Sequence, residues 1–368
     1  MPKALETTLE INLSALKHNY GFLRTKLQNN TLFLAVVKAF AYGSDSGVVG
    51  NYLEKLGVDY FAVAYVKEGV DLRRSGVTTP ILVLHPQVGN FELAIEHSLE
   101  PSLYSLKTLR SFEKIAQRHN VSHYPVHIKL NTGLNRLGFR IEDVGSSIKT
   151  LISSSSLKVK SVFSHLAASE DLNEKEFTTN QIDLFKSVSE RFMNNFDYPI
   201  IRHLCNTSGA LNYPNAHFDM VRCGIGLYGY GNSKKESVNF IPVASLKSVI
   251  SQLVNVSKGE SIGYNRGHIC EVDSKIATIP IGHADGIGRH YGHGAGAVSI
   301  NGQRAIIVGN VCMDMIMVDV TSIGCQEGGE VIVFGPGLSA EGVAEAADTI
   351  SYELVTGISQ RVTRKFIN

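Results

Sequence analysis

The first two thirds of the chain alternate short apolar, β-branched runs with longer amphipathic stretches, and this alternation restricts the fold more than any other feature. The strand-like runs are Leu32–Lys38, Asp59–Ala64, Ile81–His85, Val126–Leu130, Val159–His165, Ile200–Asn206 and Val221–Leu227. Helix-like stretches such as Ser105–Arg118 and Lys175–Met193 lie between most of them. Ahead of them, Asn12 is placed to cap a helix whose apolar positions Leu13, Leu16, Tyr20, Leu23 and Leu27 share one face. Repeated βα units over roughly 230 residues predict an N-terminal (β/α)8 TIM-type barrel. A doubly wound open sheet shows the same alternation.

The pattern changes at Gly231–Ser237, a polar stretch that reads as a linker. Beyond it, short strand-like segments follow closely: Ala244–Val256, Lys275–Ile281, Ala297–Ile300, Ala305–Gly309, Met315–Val320 and Glu330–Phe334. A helix is expected within Ser339–Ala347 and a last strand-like segment from about Tyr352. The expected domains are therefore a barrel over 1–236 and a mainly-β domain over 237–368. A chain of 368 residues also exceeds one ordinary core.

Charge excludes some functions. Lys+Arg is 35 against Asp+Glu 34, which leaves no basic footprint for nucleic acid. No apolar run approaches the ~20 residues that span a bilayer. The five cysteines form no C-x-x-C pair, so neither a disulfide framework nor a zinc site is expected. His283, His290 and His293 share a glycine-rich loop without a cysteine or carboxylate cluster, and no metal is assigned to them. The N-terminus has no hydrophobic signal core, and a cytoplasmic location is expected.

Chemistry concentrates at predicted strand ends. Leu34-Ala35-Val36-Val37-Lys38 closes a buried run with a lysine, and Ala41-Tyr42-Gly43 follows. A desolvated amine has a lowered pKa and makes a Schiff-base nucleophile; the bland alternative is a lysine that snorkels to water. Similar stretches are His127-Ile128-Lys129 with Arg136, Ser164-His165, Cys205-Asn206-Thr207-Ser208, Arg222-Cys223-Gly224-Ile225-Gly226, Gly263-Tyr264, Cys312-Met313-Asp314 and Ser351-Tyr352. Gly224, Gly226 and Gly229 match G-x-G-x-x-G, but no clear helix and no acidic residue ~20 positions on support a dinucleotide site.

In this order, and from about residue 8 to the C-terminus, these stretches resemble the alanine racemases, fold-type III enzymes that use pyridoxal 5'-phosphate (PLP). The resemblance implies a homodimer with shared active sites, alanine as substrate, and no nucleic-acid or membrane partner. It implies that Lys38 carries PLP and that Tyr264, from the partner subunit, is a second base. Racemisation needs two bases, because the α-proton leaves one face and returns to the other. His165 and Arg222 resemble the chain that tunes the tyrosine and the pyridine ring. Tyr42, Asn206, Thr207, Gly224, Ile225 and Tyr352 match the phosphate site. Arg136 and Met313 match the substrate-carboxylate site, and Lys129 matches a lysine carbamylated in some members.

The chain departs from the family pattern at Phe40, at Ser44-Asp45-Ser46 and at His283, where a tyrosine is usual. The reading that follows is a racemase that interconverts L- and D-alanine and supplies D-alanine for peptidoglycan. Its competitors are a broader-specificity racemase, a PLP decarboxylase, a non-catalytic PLP-binding protein built on the barrel alone, and a barrel without cofactor.

Overall fold

The structure is a computed structural model that describes residues 6–368, apart from the side chain of Lys234. The first five residues of the N-terminal stretch considered above lie outside the described residues. The chain divides into two compact units. A barrel unit holds Leu16–Ala41 and Ser46–Ile241, and a β-unit holds the chain up to Ala15, Tyr42–Asp45 and Pro242–Asn368.

The first strand, β1 (Thr8–Asn12), belongs to the β-unit. The next eight are β2 (Leu32–Val36), β3 (Tyr60–Val63), β4 (Ile81–Val83), β5 (Glu100–Leu103), β6 (Tyr124–Lys129), β7 (Leu157–Phe163), β8 (Ile201–His203) and β9 (Met220–Cys223). They close in sequence order into a parallel barrel, so the closed alternative is the correct one. Leu34, Ala35, Phe61, Ala62, Ile81 and Leu82 are all fully buried, as strands covered on both faces require.

Some sequence expectations for these elements need correction. Strand β5 was not anticipated, because Glu100-Pro101-Ser102 lacks the apolar run that marks its neighbours. It still pairs in register, with Ser102 opposite His127 of β6. Several strands also stop short of their predicted ends: β2 ends at Val36, β7 at Phe163, β8 at His203. Lys38, His165 and Asn206 thus fall in βα connections at the C-terminal rim, where barrel sites are built. Tyr352 lies on a helix, Ser351–Gly357, whose Leu354 and Val355 are buried; the last strand begins only at Thr363.

The β-unit continues with β10 (Ala244–Val249), β11 (Gln252–Val256), β12 (Ser261–Ile262), β13 (His268–Ile269), β14 (Ser274–Ile279), β15 (Ala297–Ile300), β16 (Gln303–Val308), β17 (Ile316–Asp319), β18 (Glu330–Phe334) and β19 (Thr363–Ile367). Nine of the strands form one sheet in the order β11-β14-β17-β16-β15-β18-β10-β1-β19. The expected run Ala244–Val256 is interrupted, because Ile250 and Ser251 turn their N–H groups to Gly329 and Thr278. Gly231–Ser237, read as a linker, carries a short helix capped by Ser233. Its Glu236 is buried and accepts from Ser208 and Asn212 of the barrel unit.

Helix Leu106–Arg118 shows how local sequence fixes an element. Ser105 Oγ accepts from the Thr108 N–H and Thr108 Oγ1 accepts from the Ser105 N–H, a reciprocal cap. Leu109, Phe112 and Ala116 then bury one stripe. Ser105→Ala is expected to lower stability by about 1 kcal/mol. A denaturant melt with a lower midpoint and unchanged slope checks this.

Candidate active site

The barrel unit gathers cations at its C-terminal rim. Lys38 follows β2, Lys129 ends β6, His165 follows β7 and Arg222 lies in β9. Burial lowers the pKa of Lys38, and the nearby charge of Arg136 lowers it further; Glu68 pulls the other way. Burial brings Lys129 down to about 8, helped by Arg222, Arg136 and Lys38. Lys129 is only 6% exposed, and among the described residues no carboxylate lies within ion-pair distance of it. Its ammonium sits 5.7 Å from the Phe163 ring centre. Burial, with the charge of Arg222, holds His165 neutral far below the ordinary histidine range.

Arg222 is buried, and its two terminal nitrogens make four hydrogen bonds. Its Nη1 donates to His203 Nδ1 (2.9 Å), and its Nη2 donates to His165 Nδ1 (2.9 Å), the Ser164 carbonyl (2.7 Å) and the Leu204 carbonyl (3.0 Å). Arginine has no acceptor, so both imidazoles must present a bare Nδ1 and carry their proton on Nε2. Burial lowers Arg222 to about 10, and it stays a cation at neutral pH.

The backbone after Lys38 is unusual. Ala39, Phe40, Ala41 and Tyr42 all have φ between 51° and 56°, a left-handed turn built from residues with side chains. Such a conformation costs about 1–2 kcal/mol per residue. Glu68 secures its start, its carboxylate accepting from the N–H groups of Ala39 (2.7 Å), Ala64 (2.7 Å) and Tyr65 (3.0 Å). In the β-unit, Gly43 closes the turn where a Cβ would lie 2.1 Å from the Val355 carbonyl oxygen. Arg364 holds the Gly43 carbonyl at 2.9 Å. Tyr42 and Tyr352 come together there, with ring centres 6.2 Å apart.

The other expected phosphate ligands share the barrel rim. Asn206 caps helix Thr207–Asn212, its Oδ1 accepting from the Gly209 N–H and the Ser169 hydroxyl, both at 2.8 Å. Thr207 Oγ1 accepts from the Gly224 N–H at 3.2 Å. The Ile225 N–H, at the start of a 3-10 turn, has no protein acceptor among the described residues. Gly226 permits the approach, since a Cβ there would meet Thr207 Cγ2 at 2.6 Å.

In the β-unit, Tyr264 and Met313 line one concavity of about 340 Å³ with Cys312 and Met315. Tyr264 is 74% and Met313 59% exposed. Asn310 organises the rim: its Nδ2 donates to the Tyr264 carbonyl (3.0 Å), and its Oδ1 accepts from Arg289 and meets His293 Nε2. Arg361 bridges Asp285 (2.7 Å) and Asp314 (2.6 Å) and so anchors the Met313 segment. His283, exposed, lies against the same segment through its N–H to the Cys312 carbonyl (2.9 Å). Gly282 makes that contact possible, since a Cβ would lie 2.4 Å from the Met313 carbonyl. Of the three histidines in this region, His293 bonds to Asn310 and His290 packs on Tyr291.

Sequence reasoning gave no role to Glu68, Asn310, Asp285, Arg361 or His203. A carboxylate three residues into a helix, as Glu68 is, marks a cap rather than a site. His203 and His127 carried a fainter signal, a polar side chain inside an otherwise buried strand.

Comparison with known proteins follows the same division. Residues 11–232 match the family model for the alanine racemase N-terminal domain and residues 243–366 that for the C-terminal domain. The alanine racemase of Halothermothrix orenii is 37% identical over 98% of this chain and 97% of its own length. The solved alanine racemase of Clostridium difficile superposes with a TM-score of 0.93 at 34% identity, covering 100% of this chain and 97% of that one. The enzyme of Bartonella henselae, solved with covalently bound pyridoxal phosphate, gives a TM-score of 0.89 at 28% identity, covering 99% of this chain and 100% of its own.

Glu68→Ala removes a charged acceptor from three backbone donors. It is expected to cost about 2–3 kcal/mol of stability, read as a fall in the denaturant midpoint. Glu68→Gln, which keeps one acceptor oxygen, should lose less.

Proposed function

The chain belongs to the alanine racemase family and is an isomerase of that class; we propose that it interconverts L- and D-alanine with pyridoxal phosphate held covalently at Lys38. One observation carries this reading: the Lys38 amine, with its pKa lowered by burial, stands in a rim of cations with Glu68 the carboxylate beside it. Such a rim suits a dianionic phosphate and the substrate carboxylate. The residues fit the cofactor. The Ile225 N–H, the Gly224 amide and the Thr207 hydroxyl of the barrel unit would hold its phosphate, with Asn206 bracing the helix start.

When bound, the cofactor supplies an electron-withdrawing imine that acidifies the substrate α-carbon. Lys38 Nζ carries the proton for one enantiomer, and burial, which lowers its pKa, raises the share of free amine. Tyr264 Oη of a second copy carries it for the other. His165, with Nδ1 occupied by Arg222, keeps its Nε2–H available to donate to that phenol oxygen. Arg222 would meet the pyridine nitrogen with an N–H donor that it does not give up, which would limit electron withdrawal and disfavour transamination. Arg136 and the Met313 N–H bind the alanine carboxylate.

Exposed Tyr264, Met313, Met315, Ile269 and Val272 on the β-unit support a homodimer, since such apolar area favours cover. We assign D-alanine supply for peptidoglycan as the biological use and the cytoplasm as the location. Among the described residues no helix is long and apolar enough to cross a membrane. The match over residues 243–366 disfavours a barrel-only PLP-binding protein.

Lys38→Ala should lose both racemisation and the visible absorbance of bound cofactor. Tyr264→Phe should keep the absorbance but lose α-proton exchange by about 10²–10⁴-fold, chiefly from L-alanine, as followed by deuterium incorporation. Equal exchange in that variant excludes Tyr264 as a base. Lys129, near pH 8, is set to add carbon dioxide as a neutral amine and become a carbamate anion beside Arg136. A ¹³C signal after labelled bicarbonate, fading as pH falls below about 8, is expected; an unmodified amine throughout removes the assignment.

A further inference from the structure

Arg222 is joined to a group that the proposed reaction does not use. On its far side His203 Nε2 lies 2.8 Å from Ser161 Oγ, Ser161 Oγ lies 2.5 Å from His127 Nδ1, and His127 Nε2 lies 2.7 Å from Glu100 Oε2. His127, Ser161 and His203 have no solvent exposure. The parallel register sets them in place, with His127 of β6 opposite Ser161 of β7 and Phe163 of β7 opposite His203 of β8. Phe163 stacks on His203 at 4.8 Å and walls the chain with apolar surface. Glu100 opens β5, at the end of that strand remote from the rim.

Donor and acceptor rules give this chain one direction. Arg222 can only donate, so His203 accepts on Nδ1 and must donate from Nε2 to Ser161. Ser161 has one hydrogen and, among the described residues, its other neighbour is His127 Nδ1. A protonated His127 would aim a second N–H at the same oxygen and leave that hydroxyl hydrogen without an acceptor. His127 is therefore set to accept on Nδ1 and donate from Nε2 to the carboxylate. Every bond runs from Arg222 toward Glu100.

Charge makes the direction purposeful. The partners of the Arg222 guanidinium are two imidazoles and two carbonyls, with no carboxylate among them. Among the described residues Glu100 has His127 as its partner at ion-pair distance, and its side chain is 12% exposed. A guanidinium with no carboxylate in contact and a carboxylate in contact with His127, with the Arg73 charge further off and the Tyr60 ring nearby, thus occupy the two ends of one hydrogen-bonded line, in surroundings where bonds in series polarise one another.

We propose that Glu100 is a positioning residue for Arg222, acting as its counter-charge through His127, Ser161 and His203 and fixing the direction of the Arg222 hydrogen bonds at the catalytic rim. No proton changes owner; the chain orders donors and orients the guanidinium. The proposal rests on the role given to Arg222 above.

The experiment uses the PLP-loaded protein with ¹⁵N-labelled histidine. Long-range ¹H–¹⁵N spectra should show His127, His165 and His203 as neutral Nε2–H tautomers. A protonated or Nδ1–H His127 overturns the proposal, whatever the activity. Glu100→Gln removes the charge and Ser161→Ala breaks the line midway. Each should lower kcat about ten- to a hundredfold, the usual effect of a partner once removed from a reactive group, with KM for L-alanine within about twofold of wild type, and each should shift the visible band of the bound cofactor. If both act through one line, the double variant loses no more than the worse single one. Multiplying losses, or kcat unchanged in either variant, overturn it. If the wild-type protein racemises no alanine, the functional reading fails instead, and the tautomers still decide the chain. Should the variants not fold, the wild-type spectra carry the test.

Discussion

A guanidinium buried without a carboxylate against it governs the barrel unit. Removing a charge from water costs several kcal/mol even after relaxation. Arg222 offsets that cost with two carbonyls and two imidazoles. Each bond fixes something further away. His165 must be bare at Nδ1, which puts its proton on Nε2. His203 must likewise carry its proton on Nε2. Arg222 also depresses the basicity of Lys129 and His165, as Arg136 does for Lys38. Burial is the larger cause in each case, and the fixed charges of Arg222 and Arg136 add to it.

The rim also stores backbone strain. Four successive residues with side chains hold a left-handed conformation after Lys38, at a cost that only surrounding structure can sustain. Glu68 holds the turn at one end, and Gly43 with Arg364 at the other. Asparagine visits this region more readily than phenylalanine, so Phe40, where a small polar residue is commoner, makes the turn more dependent on those anchors. The family departure noticed in the sequence is thus a question of backbone energy more than of chemistry.

Much of this was legible in the sequence, for identifiable reasons. Lys38, Lys129, His165 and Arg222 stood out because ionisable residues at the ends of apolar strands are expensive, and the barrel brings those ends together. Helix Lys175–Met193 has the bounds read from the sequence and buries Phe185, Val188 and Phe192 on one face, while Phe177 and Leu184 stay exposed. Strand β5 was missed because Glu-Pro-Ser follows no strand pattern; its place is fixed by its neighbours in the barrel. Tyr352 was misread as strand because Leu354-Val355 suits either element, and only burial on one helix face decides. Glu100 was invisible for the same reason as β5. A single carboxylate has no local signature when its partner lies on a strand 27 residues away.

The two units divide the work by physical character. The barrel unit is a closed parallel structure whose side chains meet on rigid strand ends, which suits a cofactor that must be held in one orientation. The β-unit presents Tyr264 and Met313 on loops stiffened by Asn310, Gly263 and the Asp285–Arg361–Asp314 bridge. A phenol 74% exposed has not yet been desolvated. Burial alone makes a phenol harder to ionise, so a phenolate in a dry site needs hydrogen-bond donors aimed at its oxygen. In the proposed reaction those donors would be the neutral His165 Nε2–H, with Arg222 behind it, in a second copy. On that proposal, association would do chemical as well as structural work, because it would tune the base that each subunit lends the other.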